Sequence, residues 1–131
     1  MTFKELGLAE RLLEGIDSMG YKTATPVQEQ VMKPILAGRD VLASAQTGTG
    51  KTAAFLLPII HKLLTEEHSE NHINALIIVP TRELAVQISD VVGPLSRKVG
   101  LSTQVVAGGL SYVGQIKALR SGVTILVATP G

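Results

Sequence analysis

Leu6, Ala9, Leu12, Leu13, Ile16 and Met19 recur at intervals of three and four and fall on one face of a helix, which Gly20 is placed to stop. The same spacing predicts helices over Val27–Leu36, Thr52–Leu64, Glu83–Lys98 and, more briefly, Tyr112–Leu119. Between them lie short apolar runs of a different kind. Asp40–Ser44, Ala75–Val79, Thr103–Ala107 and Val123–Ala128 are nearly continuous in Val, Ile, Leu and Ala. Such runs suit strands buried on both faces, as in a parallel sheet between helix layers. Pro58 removes one backbone bond from the third helix and predicts a kink rather than an end, because apolar residues resume at Ile59, Ile60 and Leu63. Strands alternating with helices predict an α/β fold, a parallel sheet with helices on both faces.

Composition narrows the class. The chain has 131 residues, of which 45% are hydrophobic, enough for one domain with a real core. With no cysteine it holds neither a disulfide framework nor a thiolate zinc site, and an intracellular, cytoplasmic protein fits best. Met1-Thr2-Phe3-Lys4-Glu5 lacks the pattern of a signal peptide, and no apolar run suffices to span a bilayer, so no membrane partner is expected. The net charge of +1 does not announce a nucleic-acid binder. Between Val91 and Gly131, however, Arg97, Lys98, Lys117 and Arg120 occur without any acid. That segment would favour a polyanion, although on charge alone a solvated basic face explains it better. His68 and His72 stand four apart near Glu67 and Glu70, but in a polar stretch, Thr65–Asn74, that reads as a surface loop rather than a metal site.

The decisive chemistry follows the first apolar run. Ala45-Gln46-Thr47-Gly48-Thr49-Gly50-Lys51-Thr52 lies between a predicted strand and a predicted helix, the context a phosphate-binding loop requires. Gly48 and Gly50 permit a tight turn that aims backbone N–H groups inward, and the helix amino terminus adds the positive end of its dipole. Lys51 is placed to reach the β- and γ-phosphates, and Thr52 to offer a hydroxyl to Mg²⁺. A glycine-rich turn without a ligand would account for the glycines but not for Gly-Lys-Thr after an apolar strand.

This loop, with alanine first, resembles that of the DEAD-box RNA helicases. Phe3, Gly20-Tyr21 and Thr25-Pro26-Val27-Gln28 resemble the family's Q motif. Pro80-Thr81-Arg82-Glu83-Leu84-Ala85 is similar to motif Ia, Gly108-Gly109 to the double-glycine motif, and Thr129-Pro130-Gly131 to the start of motif Ib. The resemblance covers the whole chain, and its start almost directly at the Q motif is similar to that of compact bacterial members. It implies a RecA-like domain that binds ATP and Mg²⁺ and touches RNA. Gln28 is then assigned to the adenine edge and Phe3 to the base, with Thr23 beside them. Pro80, Thr81, Arg82, Gly108, Gly109, Thr129, Pro130 and Gly131 are assigned to RNA. Each assignment has a plainer counterpart. Thr25 and Gln28 form a capping box by spacing alone, Phe3 can be a core anchor, Arg82 can sit in a surface ion pair, and the glycines can make a turn. Two positions depart from the pattern: Ala24 stands where the family usually has proline, and Thr23 where it often has a base.

No Asp-Glu-Ala-Asp and no Ser-Ala-Thr occurs in these residues. The resemblance therefore implies that residues 1–131 are a partial first RecA-like domain, with the Q motif in about 1–28. The expected function is that of the ATP-binding and partial RNA-binding portion of an RNA helicase, one that binds nucleotide without hydrolysing it unless joined by the rest of the helicase. The strands that in the family flank Asp40–Ser44 would also be missing. An unpaired apolar edge and self-association are expected from that.

Overall fold

The computed structural model describes residues 2–44, 50–66, 72–108, 112–120 and 122–130. The chain divides into two compact units, Met1–Glu66 and Glu67–Gly131.

The first unit is helical. Helix α1 covers Glu10–Ser18, α2 Pro26–Leu36 and α3 Lys51–Thr65, and both α1 and α2 pack against α3. Leu12, Ile16, Met32, Leu56, Leu57 and Ile60 form the core, each at most 1% exposed. A fully buried side chain of this size stabilises a fold by about 1.5–3 kcal/mol before entropy is counted. Helix α1 starts four residues later than Leu6 would allow. Gly7 adopts a positive φ of 82°, which a right-handed helix does not accommodate, and residues 3–7 form a turn instead, with Leu6 N–H donating to Phe3 O and Gly7 N–H to Lys4 O. The predicted stop is found: Gly20, at φ 85°, follows the helix. Helix α3 continues through a buried Pro58 as the apolar spacing predicts. Pro34 in α2 and Pro94 in α4 (Arg82–Lys98) are likewise interior.

The strand expected over Asp40–Ser44 does not form. These five residues have no regular structure and are exposed, Leu42 at 103%. The physical reason is hydrogen bonding. A parallel strand needs a neighbour to satisfy its N–H and C=O groups. The described part of the first unit holds no strand to pair with it, and its ladder contact is an isolated antiparallel bridge between Thr2 and Thr23.

The second unit builds the sheet. Strands β1 (Ala75–Ile78), β2 (Thr103–Val106) and β3 (Ile125–Ala128) are all parallel, in the order β1-β3-β2. The connection β1-α4-β2 crosses the sheet one way, and β2-α5-β3, through α5 (Tyr112–Arg120), returns the other way. Right-handed crossovers therefore put α4 and α5 on opposite faces. Ile77, Ile125 and Val127 share one face and are buried, while α4 packs on β2 and β3. The buried Ser96 of α4 fixes the contact by accepting from Thr103 Oγ1 at 3.2 Å. The other face departs from the expectation of strands covered on both sides. Leu76 and Ile78 are 57% and 64% exposed, because α5 packs on β2 and leaves β1 open.

Candidate nucleotide and RNA sites

Gln28 is held by three bonds at the start of α2. Thr25 N–H donates to Gln28 Oε1 at 2.9 Å, Gln28 N–H donates to Thr25 Oγ1 at 3.4 Å, and Gln28 Nε2 donates to Gly50 O at 3.3 Å. The capping box read from the spacing is therefore present, with Pro26 at the first helical position. The residue is 3% exposed, and its amide is engaged at both ends. An amide has two acceptor and two donor positions, and the described residues engage one of each.

The third bond links the capping box to the phosphate loop. Gly50 is the N-cap of α3 with φ 86°, and a Cβ built there would lie 2.5 Å from Gln28 Nε2 and 3.2 Å from Thr25 Oγ1. Glycine is thus required twice, for its dihedral and for the space Gln28 fills. Ala45, Gln46, Thr47, Gly48 and Thr49 lie outside the described residues.

Lys51 and Thr52 occupy the first two positions of α3, Lys51 exposed and Thr52 half-buried. The end of the helix they occupy differs from its neighbours. Helices α2 and α4 each begin with a threonine that accepts a backbone N–H, and each has a glutamate in the first turn. Helix α3 has no side-chain cap and no acid there. Among the described residues nothing acidic or capping offsets the positive end of its dipole, which carries a lysine, an arrangement suited to an anion. Phe3 lies in the core at 3% exposure, and Thr23 is exposed beside it in the chain's bridge to Thr2.

In the second unit the register brings the candidate RNA residues to one edge. Ile78, Ala128 and Val106 are aligned across the three strands, and Val79 N–H donates to Ala128 O and Thr129 N–H to Val106 O just beyond them. Pro80, Thr81, Arg82, Gly108, Thr129 and Pro130 all follow from these carboxyl ends; Gly109 and Gly131 lie outside the described residues. Thr81 caps α4 by accepting from Leu84 N–H at 3.2 Å. Arg82 makes a long, exposed ion pair with Glu83 at 3.9 Å, a contact worth little in water.

Two site-supporting residues had no motif to reveal them. Gln115 is buried in α5 and accepts from Ala107 N–H at 3.2 Å, fixing the backbone immediately before Gly108. His61 of α3 accepts at Nδ1 from Ala9 N–H at 2.9 Å. A polar residue at an inward helical position is the one signal for either. The basic residues of the Val91–Gly131 segment receive the plainer explanation. Arg97 and Lys98 lie in the last turn of α4, and Lys117 and Arg120 in the last turn of α5, where cations offset the negative dipole end.

The family profile of the DEAD/DEAH box helicase matches residues 25–131. The chain belongs to the DEAD/DEAH box helicase family. It is 50% identical over 131 residues to the ATP-dependent RNA helicase CshA of Limosilactobacillus reuteri, covering all of this chain and 26% of that protein. It is 50% identical to the DEAD-box ATP-dependent RNA helicase CshA of Streptococcus pneumoniae, again across the whole chain and 24% of that protein. The DEAD-box ATP-dependent RNA helicase RhpA of Helicobacter pylori is 45% identical over 99% of the chain and 26% of its own length. The chain spans about a quarter of the length of these curated relatives. Its parallel sheet with helices is the part of the RecA-like α/β fold that these residues of a DEAD-box helicase build. No helix among the described residues is long and apolar enough to cross a membrane.

Proposed function

We propose that this chain is the ATP-binding and partial RNA-binding portion of an ATP-dependent RNA helicase. The observation that carries the reading is the amino terminus of α3, which has neither side-chain cap nor acid but has Lys51 at its first position. Backbone N–H groups and the Lys51 ammonium supply positive potential for a triphosphate, and Gly50 leaves the room beside them that the Gln28 amide fills. Thr52 supplies the hydroxyl for Mg²⁺, whose charge would offset that of the phosphates. Gln28 would turn its second donor and second acceptor to the adenine edge, with Thr23 five residues before it in the same motif. Phe3 acts by holding the segment from the core, which is where its burial puts it.

The RNA path in this reading is the carboxyl edge of the sheet. The capped amino terminus of α4 and Arg82 meet phosphates, Gly108 and Gly109 let the sugar-phosphate backbone come close, and Thr129, Pro130 and Gly131 complete the edge. The relatives named as ATP-dependent RNA helicases support ATP and RNA as ligands. Hydrolysis needs acidic groups that hold the metal ion and orient water, which no motif in residues 1–131 supplies, so the chain alone binds nucleotide without turning it over.

Calorimetric titration with ATP tests the reading. Lys51→Ala removes a charge-assisted phosphate contact of about 1.5–3 kcal/mol and weakens ATP at least about tenfold. Equal affinities would remove Lys51 from the site. Gln28→Ala lowers the melting temperature through the lost cap, and if Gln28 reads adenine it also lowers the preference for ATP over GTP by about 1–3 kcal/mol. An unchanged preference leaves Gln28 as a cap alone.

A further inference from the structure

We infer that His61 is a positioning residue for adenine recognition: it anchors the amino-terminal strap, residues 2–9, to the helix that follows the phosphate loop. The inference rests on the nucleotide site proposed above. The strap is a preformed element. Thr2 N–H donates to Glu5 Oε2 at 3.0 Å and Glu5 N–H to Thr2 Oγ1 at 3.3 Å, a reciprocal pair that closes a turn. Phe3 and Leu8 anchor it in the core at 3% and 5% exposure. Its first end bridges to Thr23, two residues before the threonine that caps α2 and holds Gln28. Its last end is Ala9 N–H, donated to His61 Nδ1 across a separation of 52 residues.

That last bond has a specific chemistry. Helix α1 has no side-chain cap of its own at Ala9. The acceptor that a capping box would take from the helix's own third residue comes here from another helix. An imidazole nitrogen accepts only through its lone pair, so in this bond Nδ1 is the acceptor and carries no proton. His61 lies ten residues beyond Lys51, about 15 Å along the helix axis. It therefore acts on the base side of the site only through the backbone it holds. Loss of the acceptor frees one end of the strap while leaving the phosphate end of α3 as it was. The consequence falls on the choice of base and not on the triphosphate.

The test uses the 131-residue chain, His61→Leu, which keeps bulk but has no acceptor, and His61→Gln, which restores one. Titrations with ATP and with GTP are read beside amide hydrogen exchange. In His61→Leu the Ala9 amide loses protection, ATP weakens about five- to tenfold, and GTP changes less than about twofold. His61→Gln returns the ATP-to-GTP ratio and the Ala9 protection toward those of the original chain. A His61→Leu protein with an unchanged ratio overturns the inference. So does a glutamine variant that melts like the original but discriminates like the leucine variant. If the original chain binds neither nucleotide, the site reading fails and takes base choice with it, whereas Ala9 exchange still decides whether His61 holds the strap.

Discussion

Asp40–Ser44 in the first unit and Ala75–Ile78 in the second are both short apolar runs before a helix, and only the second is a strand. Val41 and Leu42 are exposed, Leu42 completely, whereas Ile77 is 7% exposed. Composition does not separate them; partnership does. Ala75–Ile78 has β3 alongside in parallel register, and the described part of the first unit offers Asp40–Ser44 no strand to pair with. The helices of the first unit show the converse. They carry their hydrogen bonds internally, so α1, α2 and α3 need only bury a face to be stable. An apolar run permits a strand, and a second strand makes one.

The sharpest way to break this comparison is to place the same charge in both regions. Val127→Asp puts a carboxylate at the centre of the sheet, at a site with no exposure, and is expected to cost about 4 kcal/mol or more, enough to unfold the second unit. Leu42→Asp is expected to change stability by less than about 0.5 kcal/mol. Urea denaturation followed by circular dichroism measures both. Comparable losses would mean that Leu42 is buried after all and that the two runs are alike. Gly50→Ala should cost less than Val127→Asp but more than Leu42→Asp, about 1–3 kcal/mol, from the left-handed backbone and the 2.5 Å approach to Gln28. Combining it with Gln28→Ala recovers part of that loss in a double-mutant cycle; strict additivity would show that the two residues do not meet. The smallest effect belongs to Glu83→Gln, which removes an exposed ion pair at 3.9 Å. Thermal melting should move by no more than about 0.5 kcal/mol, and a larger loss would reveal a network around Arg82.

Most helices were legible because their signals are local. Pro26 at the start of α2, Gly20 after α1 and the resumed apolar spacing beyond Pro58 each depend on neighbours within a turn or two. The late start of α1 was not, since it turns on the dihedral of Gly7 rather than on the face formed by Leu6 and Leu12. The Asp40–Ser44 run and the open side of β1 both depend on partners distant in sequence: the first has no strand to pair with in the described part of its unit, and the exposure of Leu76 and Ile78 depends on how far α5 reaches. Within the candidate site, the capping box of Thr25 and Gln28 followed from spacing, but the bond from Gln28 to Gly50 joins residues 22 apart and left no pattern. His61 and Gln115 were missed for the same reason, since a polar residue on an inward-facing position, half-buried in the one case and buried in the other, does not name its partner.

The strand order has a consequence for how the protein is made. β3 lies between β1 and β2, yet it is the last of the three to be synthesised. β1 and β2 have no ladder with each other, so the sheet has no hydrogen-bonded pair until Ile125–Ala128 leave the ribosome. At roughly 5–20 residues per second, β1 waits about 2–10 s for its neighbour. During that interval Ala75–Ile78 and Thr103–Val106 are unmatched apolar segments on a nascent chain, the kind that chaperones cover. The first unit has no such delay, because all its helices precede Glu67 in synthesis. A ribosome stalled before Ile125 should therefore display a chain that is protected from protease in its first half and open in its second.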